Sequence, residues 1–287
     1  MTDSTTPVPS APAAAPTPDV KPRRVRVHHL REAKERGEKI TMLTAYDAPT
    51  AAVFDEAGTD VLLVGDSLGD NFYGYANTIP VTLDEMIHHA RAVAGAVRRA
   101  LVVVDLPFGS YEASPQHAHA SAVRVMKETG ATAVKFEGGR RVADHVRLLV
   151  SSGIPVMGHL GFTPQSENVF GGKRVQGRGQ DAAERLSEDA LALQEAGAFA
   201  VVLEMVPAPL AERITEILAI PTIGIGAGAS CDGQVLVWAD MAGMSTWTPR
   251  FAKTYGRVRE ELASAARAFN DEVRGGVFPD TAHSFTE

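Results

Sequence analysis

The chain has 287 residues, 45% of them hydrophobic and 22% charged, with a formal net charge of −7. That size suits one globular domain burying roughly three quarters of its unfolded surface, and the acidic excess argues against a nucleic-acid or anionic-membrane partner, which needs clustered Lys and Arg. Cys231 is the only cysteine, so an intrachain disulfide and a thiolate-rich metal site are excluded; no apolar run approaches the roughly 18 residues of a membrane span, and a cytoplasmic protein acting on a small molecule is expected.

Residues 1–20 are almost wholly Pro, Ala, Ser and Thr, a mixture too poor in large apolar side chains to offset its ordering entropy. A disordered tail over 1–22 and a single catalytic domain over 23–287 are expected. From Arg24 onward short β-branched runs alternate with amphipathic stretches. The runs are ITMLTA (40–45), VLLVG (61–65), LVVVD (101–105), AVKFE (133–137), IPVMGH (154–159), AVVLE (200–204), PTIGIG (221–226) and QVLVW (234–238). Strands apolar on both faces and separated by helical patterns indicate a parallel sheet covered by helices. Thr82 and Glu85 form a capping-box pattern ahead of one helix, and Ser114-Pro115 opens another that Gly130 closes. Eight strand candidates with intervening helices match a (β/α)₈ barrel better than an open sheet. FAKTYGRVREELASAARAFNDEV (251–273) reads as an extra C-terminal helix, packed outside the barrel or on a neighbouring subunit.

Several of the runs carry an ionisable residue at or near the end: Asp66, Asp105, Lys135 with Glu137, His159 and Glu204. In a (β/α)₈ barrel the C-terminal strand ends converge on one mouth, so these residues become neighbours. A single Asp after a strand is about as often a helix N-cap; the set together points to a common site. Carboxylates are hard ligands, and with no thiolate in reach the natural guest is Mg²⁺, held by Asp66, Asp105 and Glu137. Lys135 and Glu137 lie two apart and point to one side of their strand, where the ammonium would hold a substrate carboxylate or an enolate; a structural ion pair is the alternative. His159 reads either as an accessory group or as a satisfied core histidine, and His88 and His89 as helix surface or packing. FGGKRVQGRGQ (170–180) reads as a flap over an anionic ligand or as a solvated basic loop. The glycine-rich loop at 224–233 is read as a tight turn rather than a phosphate site.

TAYD (44–47), VGDSLG (64–69), DLPFGSYE (105–112), VKFEGG (134–139), GHLGFTPQS (158–166), GGKRVQGRG (171–179), LEMVP (203–207), IPTIGIGAG (220–228) and GVFPDTAHSF (276–285) together resemble the ketopantoate hydroxymethyltransferase family, in order and from about residue 25 onward. The resemblance implies a barrel of the phosphoenolpyruvate mutase/isocitrate lyase type and a homodecamer built as a pentamer of dimers. It also implies transfer of a hydroxymethyl group from 5,10-methylenetetrahydrofolate to 3-methyl-2-oxobutanoate, giving 2-dehydropantoate for pantothenate synthesis. By position it implies Mg²⁺ on Asp66, Asp105 and Glu137, keto-acid contacts from Asp66, Ser67, Asp105 and Lys135, and Glu204 as general base. The chain departs from the family pattern at Asp70, where the residue is usually uncharged, and at Ala76, which stands in place of an aspartate. A Mg²⁺-dependent lyase of the same barrel type and a metabolite-binding barrel remain as competing readings. Such lyases carry a catalytic cysteine loop, and Cys231 lies elsewhere; simple binding needs no separate base.

Overall fold

The computed structural model describes residues 23–286, so the Pro/Ala-rich tail expected over 1–22 lies outside the described residues. Eight parallel strands close into a barrel in chain order. They are β1 (Ile40–Thr44), β2 (Val61–Val64), β3 (Leu101–Asp105), β4 (Ala133–Glu137), β5 (Val156–Gly161), β6 (Ala200–Glu204), β7 (Thr222–Ile225) and β8 (Gly233–Leu236). Helix α1 (Val27–Glu35) precedes β1, and α2 (Ala48–Glu56) follows it. Short α3 (Leu68–Asn71) and α4 (Leu83–Ala96) follow β2, α5 (Pro115–Thr129) follows β3 and α6 (Ala143–Ser151) follows β4. After β5 come α7 (Glu167–Phe170) and α8 (Gln180–Glu195), after β6 α9 (Ala208–Ile217), and after β8 α10 (Trp238–Met241) and α11 (Val258–Arg274).

The unbroken apolar strands serve two cores at once, because successive side chains on a strand point to opposite faces. Val61 and Leu63 of β2 pack with Leu101, Val103, Met157 and Val202 inside the barrel. Leu62 and Val64, one step out of phase, pack beneath the helices with Met86, Val93 and Val102. Each such fully buried side chain contributes about 1.5–3 kcal/mol relative to exposure. Leu30 of α1 joins the interior set, so that helix plugs the N-terminal end and leaves the other end open.

The helix signals act as their chemistry dictates. Thr82 Oγ1 accepts from the Glu85 amide, and Glu85 Oε2 accepts from the Thr82 amide at 2.7 Å. Ser114 caps α5 through the His117 amide, and Gly130 ends it at φ 79°. Several strand ends differ from the reading by a residue or two, β8 ending at Leu236 with Trp238 opening α10, and two boundaries have a plain backbone cause. β5 starts at Val156, two residues later than read, because Pro155 has no N–H to enter the ladder and Ile154 donates to Leu149 O instead. The strand therefore continues to Gly161, and His159 sits within it. The C-terminal helix begins at Val258 rather than 251, since the preceding chain is pinned in extended form: Tyr255 N–H donates to Met241 O and Val258 N–H to Ala242 O. Gly243, at φ 72°, permits that approach, because a Cβ there would run into the Gly256 carbonyl.

Candidate active site

Strand parity sorts the polar residues before any side chain is considered. In β3 the inward positions run Leu101, Val103, Asp105, and in β6 Ala200, Val202, Glu204; β4 adds Lys135 and Glu137, and β5 Met157 and His159. Register then makes pairs of them, Asp105 opposite Lys135 and Glu137 opposite His159. Asp66 arrives differently, in the turn after β2, where its amide donates to Asp105 Oδ2 at 3.2 Å. Gly65 lets this happen, as a Cβ there would stand 2.8 Å from Ser67 Oγ and 3.3 Å from Asp105 Oδ2. All the residues read from the sequence as a site, Asp66, Ser67, Asp105, Lys135, Glu137, His159 and Glu204, line one cavity of about 540 Å³ at the barrel mouth. Lys173 of the 170–180 loop also lines it and lies 3.6 Å from Asp70. Ala76 does not reach the cavity lining.

Lys135 Nζ pairs with Asp105 Oδ1 at 2.7 Å, both side chains about 5% exposed. Burial alone would lower the lysine pKa, but the charges of Asp105 and Asp66 outweigh it and hold the ammonium. The other acids lack such a partner. Burial, then the neighbouring Asp105 charge, pushes Asp66 up to about 7; burial, then Asp66, pushes Glu137 well above the carboxylate range; burial raises Glu204 to about 7 against the opposing pull of Lys135 and Lys173. Burial and then the Lys135 charge push His159 well below its usual value, so the imidazole is neutral. Its tautomer follows from its neighbours. Nδ1 lies 3.4 Å from Lys135 Nζ, and an ammonium can only donate, so Nδ1 is the acceptor. The ring proton sits on Nε2; Glu204 Oε2 lies 3.1 Å away but outside hydrogen-bond geometry, so among the described residues Nε2 has no hydrogen-bond partner. The Glu137 carboxylate, 3.6 Å from Nδ1, is too far to compete for the ring proton.

Glu204 is held by its backbone as well. The next residue, Met205, has φ 48°, an uncommon conformation for an unbranched side chain and one that persists where surrounding bonds impose it. Those bonds are present: Phe162 N–H donates to Glu204 O at 2.8 Å, Met205 N–H to Ile225 O at 2.8 Å and Gln176 N–H to Met205 O at 3.0 Å.

Asp66, Asp105 and Glu137 crowd one lysine, and the raised pKa values of Asp66 and Glu137 record, on top of burial, a mutual repulsion that a divalent cation would relieve. The donor set is all oxygen, as Mg²⁺ requires. Among the described residues no three acidic, imidazole or thiolate side chains stand close enough together to hold a metal ion by themselves. A Mg²⁺ ion here would draw part of its shell from water, as it usually does. By donor type the residues fit the cation.

The sequence reading gave no role to Gln165 or Tyr111, although both lie in stretches singled out there. Gln165 Nε2 donates to Asp66 Oδ2 at 2.8 Å, and Tyr111 OH donates to Gln165 Oε1 at 2.6 Å. Each sits in a loop beyond a strand end, where no periodicity marks the inward direction. The aromatic residues near the mouth divide: Phe162 lines the cavity, Tyr46 is buried and bonded to Ser67 Oγ at 2.9 Å, and Phe108 is half exposed outside it. His89 is the packing residue expected, buried between Tyr46 O and Tyr73 OH.

Solved structures with this barrel include phosphonopyruvate hydrolase in complex with oxalate and Mg²⁺, at TM-score 0.57 and 12% identity over 90% of this chain and 93% of that one. 2,3-Dimethylmalate lyase, a member of the phosphoenolpyruvate mutase/isocitrate lyase superfamily, aligns at TM-score 0.54 and 16% identity over 91% and 92%. At those identities the likeness is one of fold, and it confirms the barrel type expected from the sequence. Sequence relatives reach further. A 3-methyl-2-oxobutanoate hydroxymethyltransferase of Saccharopolyspora erythraea is 64% identical over 92% of this chain and 90% of its own. Another so named, from Leifsonia xyli subsp. xyli, is 58% identical over 97% and 100%. The family model described as ketopantoate hydroxymethyltransferase matches residues 24–281, a span that holds every residue of the cavity. The chain belongs to the ketopantoate hydroxymethyltransferase family.

Proposed function

We propose that the protein transfers a hydroxymethyl group from 5,10-methylenetetrahydrofolate to 3-methyl-2-oxobutanoate, forming 2-dehydropantoate in the cytoplasm as a step of pantothenate synthesis. The observation that carries this reading is the pairing, in one cavity, of an acid cluster suited to Mg²⁺ with a separate carboxylate, Glu204, whose pKa of about 7 suits a general base. Asp66, Asp105 and Glu137 would hold the cation, which when bound would supply a Lewis acid to polarise the 2-oxo acid. Asp66, Ser67, Asp105 and Lys135 surround the keto acid, with the Lys135 ammonium offsetting the charge of its carboxylate. Glu204 takes the proton from C3. The neutral His159 ring borders that carboxylate, with Nε2 3.1 Å from Oε2. C3 forms the new carbon–carbon bond to the one-carbon unit, whose two bonds to the folate nitrogens break; a water supplies the hydroxyl, and its other proton and the one taken from C3 end on those nitrogens as tetrahydrofolate leaves.

The competing lyase reading loses support from Cys231, which is buried beside Thr222 and Thr215 and absent from the cavity lining. No helix among the described residues is long and apolar enough to cross a membrane. Incubating the protein with 3-methyl-2-oxobutanoate and methylenetetrahydrofolate, with and without Mg²⁺, tests the proposal. Metal-dependent formation of 2-dehydropantoate supports it; cleavage of the keto acid, or binding without turnover, defeats it. A homo-oligomer, a decamer by family resemblance, completes the proposal.

A further inference from the structure

Gln165 is 6% exposed and every polar group of its side chain is engaged. Nε2 donates to Asp66 Oδ2 at 2.8 Å and to Leu106 O at 3.0 Å. Both of these neighbours accept, so the amide nitrogen must face them, and Oε1 faces Tyr111 OH at 2.6 Å. The main-chain N–H of the same residue donates to Glu137 Oε2 at 3.1 Å. Tyr111 OH accepts in turn from the Glu137 amide at 3.2 Å. One residue thus takes one oxygen from each of two acids, one in the turn after β2 and one ending β4, and among the described residues no hydrogen bond reaches Asp66 Oδ1 or Glu137 Oε1.

We propose that Gln165 is a positioning residue for the divalent cation: its side-chain amide and its backbone N–H each occupy one oxygen of Asp66 and of Glu137, presenting the other oxygen of both to the metal, and Tyr111 locks the amide in the orientation that does this. The inference rests on the assignment of Asp66, Asp105 and Glu137 as the metal site. Its physical basis is general. A carboxylate free to rotate offers the metal either oxygen or neither, whereas one anchored by an outer hydrogen bond offers a fixed donor, and losing such an anchor typically costs 10–100-fold in metal affinity or activity.

The test uses full-length protein stripped of metal with chelator, with free Mn²⁺ measured by electron paramagnetic resonance in the absence of keto acid. Gln165→Met keeps the length of the side chain and the backbone donor but removes the amide, and its Mn²⁺ affinity is expected to fall by about 10–100-fold. In turnover assays its half-saturating Mg²⁺ should rise by a similar factor while activity at saturating Mg²⁺ stays within several-fold of the wild type; a merely structural role would lower that ceiling and leave the midpoint in place. Tyr111→Phe should shift Mn²⁺ affinity in the same direction by less, and the double variant should lose less than the two effects combined, because both act through one amide. Wild-type Mn²⁺ affinity in Gln165→Met, or fully additive effects, would overturn the inference. If Gln165→Met does not fold, unchanged affinity in Tyr111→Phe overturns it. Asp105→Asn separates the layers: if it too binds Mn²⁺ as tightly as the wild type, the metal assignment itself fails; if it weakens binding while Gln165→Met does not, only the positioning role fails.

Discussion

Glu204 is the inward residue at the mouth end of β6, and burial opposes its ionisation, leaving its pKa at about 7. A base must be deprotonated to act, so kcat/KM should rise about tenfold per pH unit below about 7 and level off above it. Lys173 lowers that pKa from the loop over the cavity. Lys173→Met should therefore move the acidic limb to higher pH, and only modestly, since Lys173 is about half exposed and screened by water. A limb that stays put or moves down would show that the loop lysine does not act on the base. Metal and base are separable at this scale. Glu204→Gln should still bind the keto acid with Mg²⁺ but exchange its C3 hydrogen with D₂O about 10²–10⁴-fold more slowly. Asp105→Asn should lose binding and exchange together and regain part of both at high Mg²⁺. Proton NMR in D₂O beside calorimetry distinguishes them, and wild-type exchange in Glu204→Gln would pass the role of base to His159.

Two carboxylate or hydroxyl anchors at element ends differ in what they hold, and stability should record the difference. Thr82 caps α4 in an exposed setting, so Thr82→Ala should cost about 1 kcal/mol. Asp55, 8% exposed at the end of α2, accepts the amides of Arg98, Arg99 and Ala100 where the chain enters β3. Each buried amide left unmet costs about 1–3 kcal/mol, so Asp55→Ala should lower the free energy of unfolding several times more than Thr82→Ala. Denaturant titration followed by circular dichroism compares the two; equal losses would mean that water reaches the amides of residues 98–100. The cap of α4 was readable from Thr82 and Glu85 because they are three residues apart. The role of Asp55 was not, because its partners lie more than forty residues further along the chain.

On the scale of the whole molecule, α11 is amphipathic yet has no buried residue, and Leu262, Phe269 and Val273 stand about half exposed on it. Thr41 of β1 and Gln234 of β8 are likewise exposed within the barrel wall. Association with further copies of the chain would cover such surfaces, so light scattering at micromolar concentration should report an oligomer. Phe269→Asp should shift it to a smaller species, and a monomeric wild-type protein would contradict the expectation. The barrel itself was legible from eight apolar runs, because a strand buried on both faces has no polar alternation to display, and five of the polar residues lining the cavity were legible because inward parity ends β3, β4 and β6 on charges and sets His159 on the inner face of β5. The family was legible from motifs in order along the chain. Tertiary structure alone decided the rest: that β5 shifts past Pro155, that Lys135 neutralises Asp105 rather than Asp66, that the His159 ring stands between Lys135 and Glu204, and that Gln165 joins Asp66 to Glu137. Those outcomes depend on distances between strands and loops far apart in sequence, and on which buried charge lies nearest which, quantities that no local spacing encodes.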